Sequence, residues 1–171
     1  TQSIADNNEF EALYNGEQTP TFPHNIPALR KSNGNYSLIK AIPAGNSMTA
    51  EFAKAAIIGE NLGKSEHTDF LAISFSSTDY VGHQYGPASV EIEDSYLRLD
   101  KDLADLFQTL DTEVGEGNYT IFLTADHAGA ENVTYLKDNK YEVDNINTKK
   151  FRNDLSAFSI KTFGVDVVKN Y

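Results

Sequence analysis

Cysteine is absent from the 171-residue chain. That excludes a disulfide framework and any thiolate ligand. A metal bound here would be held by Asp, Glu, His and water, a donor set that suits zinc or a harder divalent ion. Basic charge is also scarce: 14 Lys and Arg stand against 25 Asp and Glu, for a net charge of −11. This argues against a nucleic-acid backbone as the main partner, because such binders carry basic faces. It leaves a phosphorylated substrate open, since a bound divalent cation inverts the local field. No apolar run approaches the roughly 20 residues of a membrane span. Proline is nearly confined to the start, at Pro20, Pro23, Pro27 and Pro43, with Pro87 alone beyond. With Gly16, Asn33-Gly34 and Gly45 these break any long helix or central strand. Residues 1–45 therefore read as an irregular lead-in, with a helical turn at 10–14 and a short strand at 36–42. Residues 46–171 read as the main domain, and the chain as a whole has a soluble globular composition at 40% hydrophobic and 23% charged residues.

Within that domain two stretches share one design. FLAISFSSTDYVGH, residues 70–83, is an apolar run that stops at Ser76-Ser77-Thr78-Asp79 and reaches His83 four residues later. YTIFLTADH, residues 119–127, is a second apolar run ending in Asp126-His127. Each reads as a buried strand whose carboxyl end delivers one aspartate and one histidine. Ligands in open α/β sheets collect at such strand ends. Two Asp/His pairs placed there suggest a metal site, with room for two ions.

Helical spacing fills the intervals. A helix over 48–62 has Ser47 as its cap, Phe52, Ala55, Ala56, Gly59 and Leu62 on one face, and Gly63 as its stop. A long helix over 90–114 has Ser89 as its cap and an apolar face of Ile92, Tyr96, Leu99, Leu103, Leu106, Leu110 and Val114. Residues 69–124 thus read strand, helix, strand, a unit that is nearly always right-handed with parallel strands. Residues 132–148 are polar and read as loop. A last helix over 151–163 closes at Gly164, and 165–171 leads toward a further strand.

TDFLAISFSSTDYVGHQYGP, SYLRLDKDL and FLTADH together resemble the C-terminal part of a bacterial alkaline phosphatase of the type I phosphodiesterase/nucleotide pyrophosphatase branch. The resemblance runs from about Phe22 to the end and covers only part of a catalytic domain of that superfamily. It implies an α/β fold, a mixed sheet with flanking helices, incomplete in this chain. It implies two zinc ions, with Asp79 and His83 matching two ligands of one and Asp126 and His127 two ligands of the other. It implies hydrolysis of phosphate monoesters through a phospho-enzyme intermediate, with diesters as the alternative substrate. The hydroxyl nucleophile is expected upstream of Thr1, so no catalytic nucleophile is assigned within the chain. A periplasmic or extracellular location is implied as well. One departure is visible: the family's glycine directly after the histidine is Ala128 here, and Gly129 follows.

Plainer roles stand beside these. Ser, Thr and Asp after a strand also cap helices, which would account for Asp79 alone. His24 lies in a loop and reads as surface or packing, and His67 in a charged turn reads as exposed. Tyr80 and Tyr85 flank the metal-site loop and read as packing residues. Taken as an isolated chain, the alternative is an inactive fragment that self-associates through exposed sheet edges.

Overall fold

The computed structural model describes residues 3–168. It forms two compact units, Thr1–Asn132 and Val133–Tyr171. In the first unit the α-helices are α1 (Ile26–Leu29), α2 (Ala44–Gly59), α3 (Ser77–Tyr85) and α4 (Val90–Glu113), with 3-10 turns at Arg30–Ser32 and Asn35–Ala41. The second unit carries α5 (Val133–Asp138) and α6 (Thr148–Phe163).

The long helix forms as its sequence dictates. The Ser89 hydroxyl accepts the Ile92 backbone N–H at 3.2 Å, which satisfies one of the donors a helix start leaves free. Glu91 and Glu93 sit in the first turn, where negative charge is favoured. Leu103, Leu106, Leu110 and Val114 meet Ala53 and Ile57 of α2 to form one apolar cluster. Lys54 of α2 adds an ion pair to Asp105 of α4 across the same contact. A second cluster joins Val81 and Tyr85 of α3 and Ile92 of α4 to Tyr14, Leu29 and Leu38 of the lead-in. The lead-in is thus part of the core, held by Tyr14, whose hydroxyl donates to the Ala41 carbonyl at 2.9 Å. In the second unit α6 starts at an Asn147 cap and ends at Gly164 in the left-handed region, φ 74°.

The expected mixed sheet is not there. Among the described residues there is no strand and no ladder. Residues 69–75 and 119–124 belong to neither helix nor strand, so the parallel pair expected on either side of α4 does not exist in this chain. The physical reason is that an apolar run reports burial, whereas a strand also needs a partner backbone. Ile73 and Phe75 find burial against the α2–α4 cluster. Phe70 and Phe122 stay 80% and 75% exposed. Smaller corrections follow the same logic. Residues 36–42, expected as a strand, lie mostly in the 3-10 turn Asn35–Ala41, and the 10–14 stretch forms no helix. The loop expected after Ser76 is helix α3, and part of the 132–148 loop is α5. The last expected strand has no strand structure up to residue 168, and its end lies outside the described residues.

One contact fixes where α3 sits. Gly45, in the first turn of α2, packs so closely that a Cβ there would lie 2.1 Å from the Ser77 hydroxyl and 2.5 Å from the Ile39 carbonyl oxygen. The hydroxyl can rotate away, but the carbonyl cannot. Asn46 next to it donates to the Thr78 hydroxyl at 2.9 Å. We expect Gly45→Ala to destabilise the fold by about 1–3 kcal/mol through overpacking, read as a lower urea midpoint with an unchanged slope.

Candidate metal centre

Helix α3 is amphipathic in a way that presents two ligands. Ser77, Val81 and Tyr85, spaced by four, are its buried residues. Asp79 and His83, also spaced by four, lie on the exposed side. Their side chains meet, with His83 Nε2 3.4 Å from Asp79 Oδ1.

The second apolar segment brings its histidine to the same place. His127 Nε2 lies 3.5 Å from Asp79 Oδ1, and the His83 and His127 ring centroids are 6.2 Å apart. One ligand atom from each of Asp79, His83 and His127 falls within 4.8 Å of the others. The donor set of two imidazoles and one carboxylate, drawn from two segments, suits a divalent metal centre. His127 is oriented for this. Its Nδ1 lies 3.1 Å from the Ala128 carbonyl, which can only accept, so Nε2 is the nitrogen turned toward Asp79. The same hydrogen bond, with the charges of Asp126 and Asp79 behind it, holds the His127 pKa above its ordinary value. A metal therefore competes with a proton there.

Asp126 stands apart from this trio. Its side chain is 92% exposed, and its Oδ2 is 3.8 Å from His127 Nε2. Its other oxygen accepts the His127 backbone N–H at 3.2 Å. The sequence grouped the four residues as two Asp/His pairs. The structure gathers Asp79, His83 and His127 together, with Asp126 at the edge.

Around the trio, Tyr80 is half-exposed, and the Lys40 ammonium sits 4.8 Å from its ring centroid. Tyr85 points the other way, into the core. The structure also shows what sequence reasoning missed. His24 is no surface residue: its side chain is 7% exposed and lies between two glutamates, with Nδ1 2.7 Å from Glu17 and Nε2 3.0 Å from Glu91. Glu91 comes from far along the sequence, which hid the cluster.

Comparison with known proteins gives consistent results. The family described as type I phosphodiesterase / nucleotide pyrophosphatase matches residues 11–164. The chain is 55% identical over 140 residues to alkaline phosphatase PhoV of Synechococcus elongatus, covering 82% of this chain and 25% of that protein. It is 43% identical over 166 residues to alkaline phosphatase PafA of Elizabethkingia meningoseptica, covering 97% and 30%. It is 50% identical over 171 residues to a protein of Myroides odoratus named calcium-transporting ATPase, covering 98% and 31%. The crystal structure of wild-type alkaline phosphatase PafA superposes with a TM-score of 0.82 at 43% identity, covering 96% of this chain and 31% of that one. The chain thus spans a quarter to a third of the length of the relatives it matches.

Proposed function

Because the chain belongs to the type I phosphodiesterase / nucleotide pyrophosphatase family, we propose that the protein containing it hydrolyses phosphoric esters at a metal centre built on Asp79, His83, Asp126 and His127. The observation that carries this reading is the meeting of His83 and His127 on one carboxylate, from two segments far apart in sequence. Zinc is the proposed metal, in two ions, with His83 and Asp79 holding one and His127 with Asp126 belonging to the other. Bound there, the ions would activate a hydroxyl or water nucleophile and stabilise the leaving oxygen of an in-line displacement. This chain's own part is to hold the ligands. α3 presents Asp79 and His83 from a buried seam, and the Ala128 carbonyl keeps the proton of His127 on Nδ1. We place the nucleophile, and the phospho-enzyme intermediate it would form, outside these residues.

The proposed substrates are small phosphate monoesters, the class that the name alkaline phosphatase gives for PhoV and PafA. The family description favours a second reading, phosphodiesters and pyrophosphates. The name ATPase on the Myroides odoratus relative is consistent with terminal phosphate release from a nucleotide. No described helix is long and apolar enough to cross a membrane, and a periplasmic or extracellular site is the proposed location. Self-association through the exposed apolar runs at 70–75 and 119–124 is the proposed behaviour of the isolated chain. The test of substrate class uses the full-length protein with zinc. Turnover of nitrophenyl phosphate should exceed that of bis-nitrophenyl phosphate by at least about tenfold in kcat/KM, a difference of about 1.4 kcal/mol in transition-state stabilisation. The reverse order would establish the diester reading, and failure on both would overturn the site.

A further inference from the structure

A second group of carboxylates lies in the first unit, away from the histidine centre and built on different elements. Asp6 and Glu11 come from the lead-in and Glu91 from the first turn of α4, and one ligand atom from each falls within 4.8 Å of the others. Acidic groups gathered on a surface would mean little. Here Glu11 and Glu91 are only 7% and 5% exposed. Each also keeps one buried oxygen, Oε2, with no hydrogen-bond partner among the described residues. Burying an unpaired carboxylate oxygen is costly, and two of them in one cluster require a positive or proton-donating occupant.

The other oxygens are accounted for, and their partners fix the group. Asn8 Nδ2 donates to Glu11 Oε1 at 2.9 Å. The Phe22 backbone N–H donates to the Asp6 carboxylate at 3.1 Å and 3.3 Å. His24 Nε2 meets Glu91 Oε1 at 3.0 Å, and its other nitrogen is held by Glu17. This is how ligands are oriented from behind around a metal: in Glu11 and Glu91 one oxygen is engaged by the protein and the other is left for the ion, and the Phe22 N–H fixes the Asp6 carboxylate as a whole. We propose that Asp6, Glu11 and Glu91 form an oxygen-only site for a calcium-class divalent cation that fastens the lead-in to the start of α4. Three carboxylates without an imidazole ligand suit a hard cation. Calcium accepts irregular geometry with six to eight oxygens, so water completes its shell on the half-exposed Asp6 side. Magnesium demands near-ideal octahedral geometry, which three carboxylates on separate segments are poorly arranged to supply.

The experiment is thermal unfolding of the full-length protein, freed of calcium with a selective chelator, with zinc held constant and calcium then added. The midpoint should rise by about 2 °C at a hundredfold excess of calcium over its dissociation constant. Glu11→Gln should remove that rise, and Asp79→Asn should leave it intact. If Glu11→Gln does not fold, Asp6→Asn at the half-exposed ligand serves in its place, with the same loss expected. No calcium-dependent shift in the unsubstituted protein would overturn the proposal and leave a proton or a buried water as the occupant. A full shift in Glu11→Gln or Asp6→Asn, or its loss in Asp79→Asn, would equally overturn it by placing the calcium elsewhere.

Discussion

Asp79→Asn should lower kcat/KM for nitrophenyl phosphate by at least about a hundredfold in the full-length protein, because loss of even an outer partner of a metal site costs 10–100-fold. Asp79 is the one carboxylate that both histidines approach, at 3.4 Å from His83 and 3.5 Å from His127. Asparagine keeps the size and the polar surface of the side chain but removes the negative charge. It also removes the attraction between Asp79 and the two imidazoles, so metal affinity and activity fall together. The change lies on the exposed side of α3, away from Val81 and Tyr85, so the melting temperature without metal should move little. Zinc binding measured by competition with a chromogenic chelator separates the two effects. Activity within threefold of the unsubstituted protein, at saturating zinc, would remove Asp79 from the site.

Stability of the first unit should fall as pH rises from about 5 to 8 when calcium is chelated. Burial pushes the Glu11 carboxyl up from 4.5 to about 7; the Asn8 hydrogen bond opposes the shift, and the charges of Glu91 and Asp6 add to it. Between those two values the folded protein keeps a proton that the unfolded chain has released. Stability therefore drops with rising pH across that window. His24 works in the same direction. Its burial alone would lower its pKa, but the hydrogen bonds with Glu91 and Glu17 outweigh that and raise it. Its contribution is complete below its ordinary value near 6.5 and is lost as pH rises through the raised one. The Glu11 shift corresponds to about 3 kcal/mol over the window. Urea unfolding followed by circular dichroism at pH 5 and pH 8 reads it directly. Glu11→Gln should flatten most of the slope, and stability that climbs with pH would contradict the buried cluster.

The parts of this molecule that the sequence made legible are those governed by local chemistry. Ser89 as a cap and the three- and four-residue spacing of α4 needed nothing from elsewhere in the chain, and the structure places that helix within a residue of expectation. Gly164 closing α6 is the same kind of signal. The candidate ligands were legible as a pattern because two apolar segments each end in an Asp/His pair, three of whose four residues the structure brings together. What failed depended on partners. An apolar run at 70–75 or 119–124 cannot report whether a second backbone lies alongside in a ladder, and among the described residues there is no such pairing. The helix at 77–85 was masked by the serine, threonine and glycine in it, all poor helix formers whose cost the burial of Val81 and Tyr85 offsets. His24 packs as one of its two readings expected, but its polar cluster was hidden because Glu17 and Glu91 come together only once the lead-in folds against α4.

That Asp79 and His83 sit on a helix rather than a loop has a consequence for the order in which the centre assembles. Their spacing is set by one helical turn, so the freedom lost in aligning them has already been surrendered when α3 forms. His127 lies outside any helix and must still be brought to its position. On the proposed reading the α3 pair is a preformed bidentate clasp. It offers one ion a two-ligand foothold as soon as α3 has formed, whereas the ion assigned to Asp126 and His127 must wait until a non-helical segment is ordered.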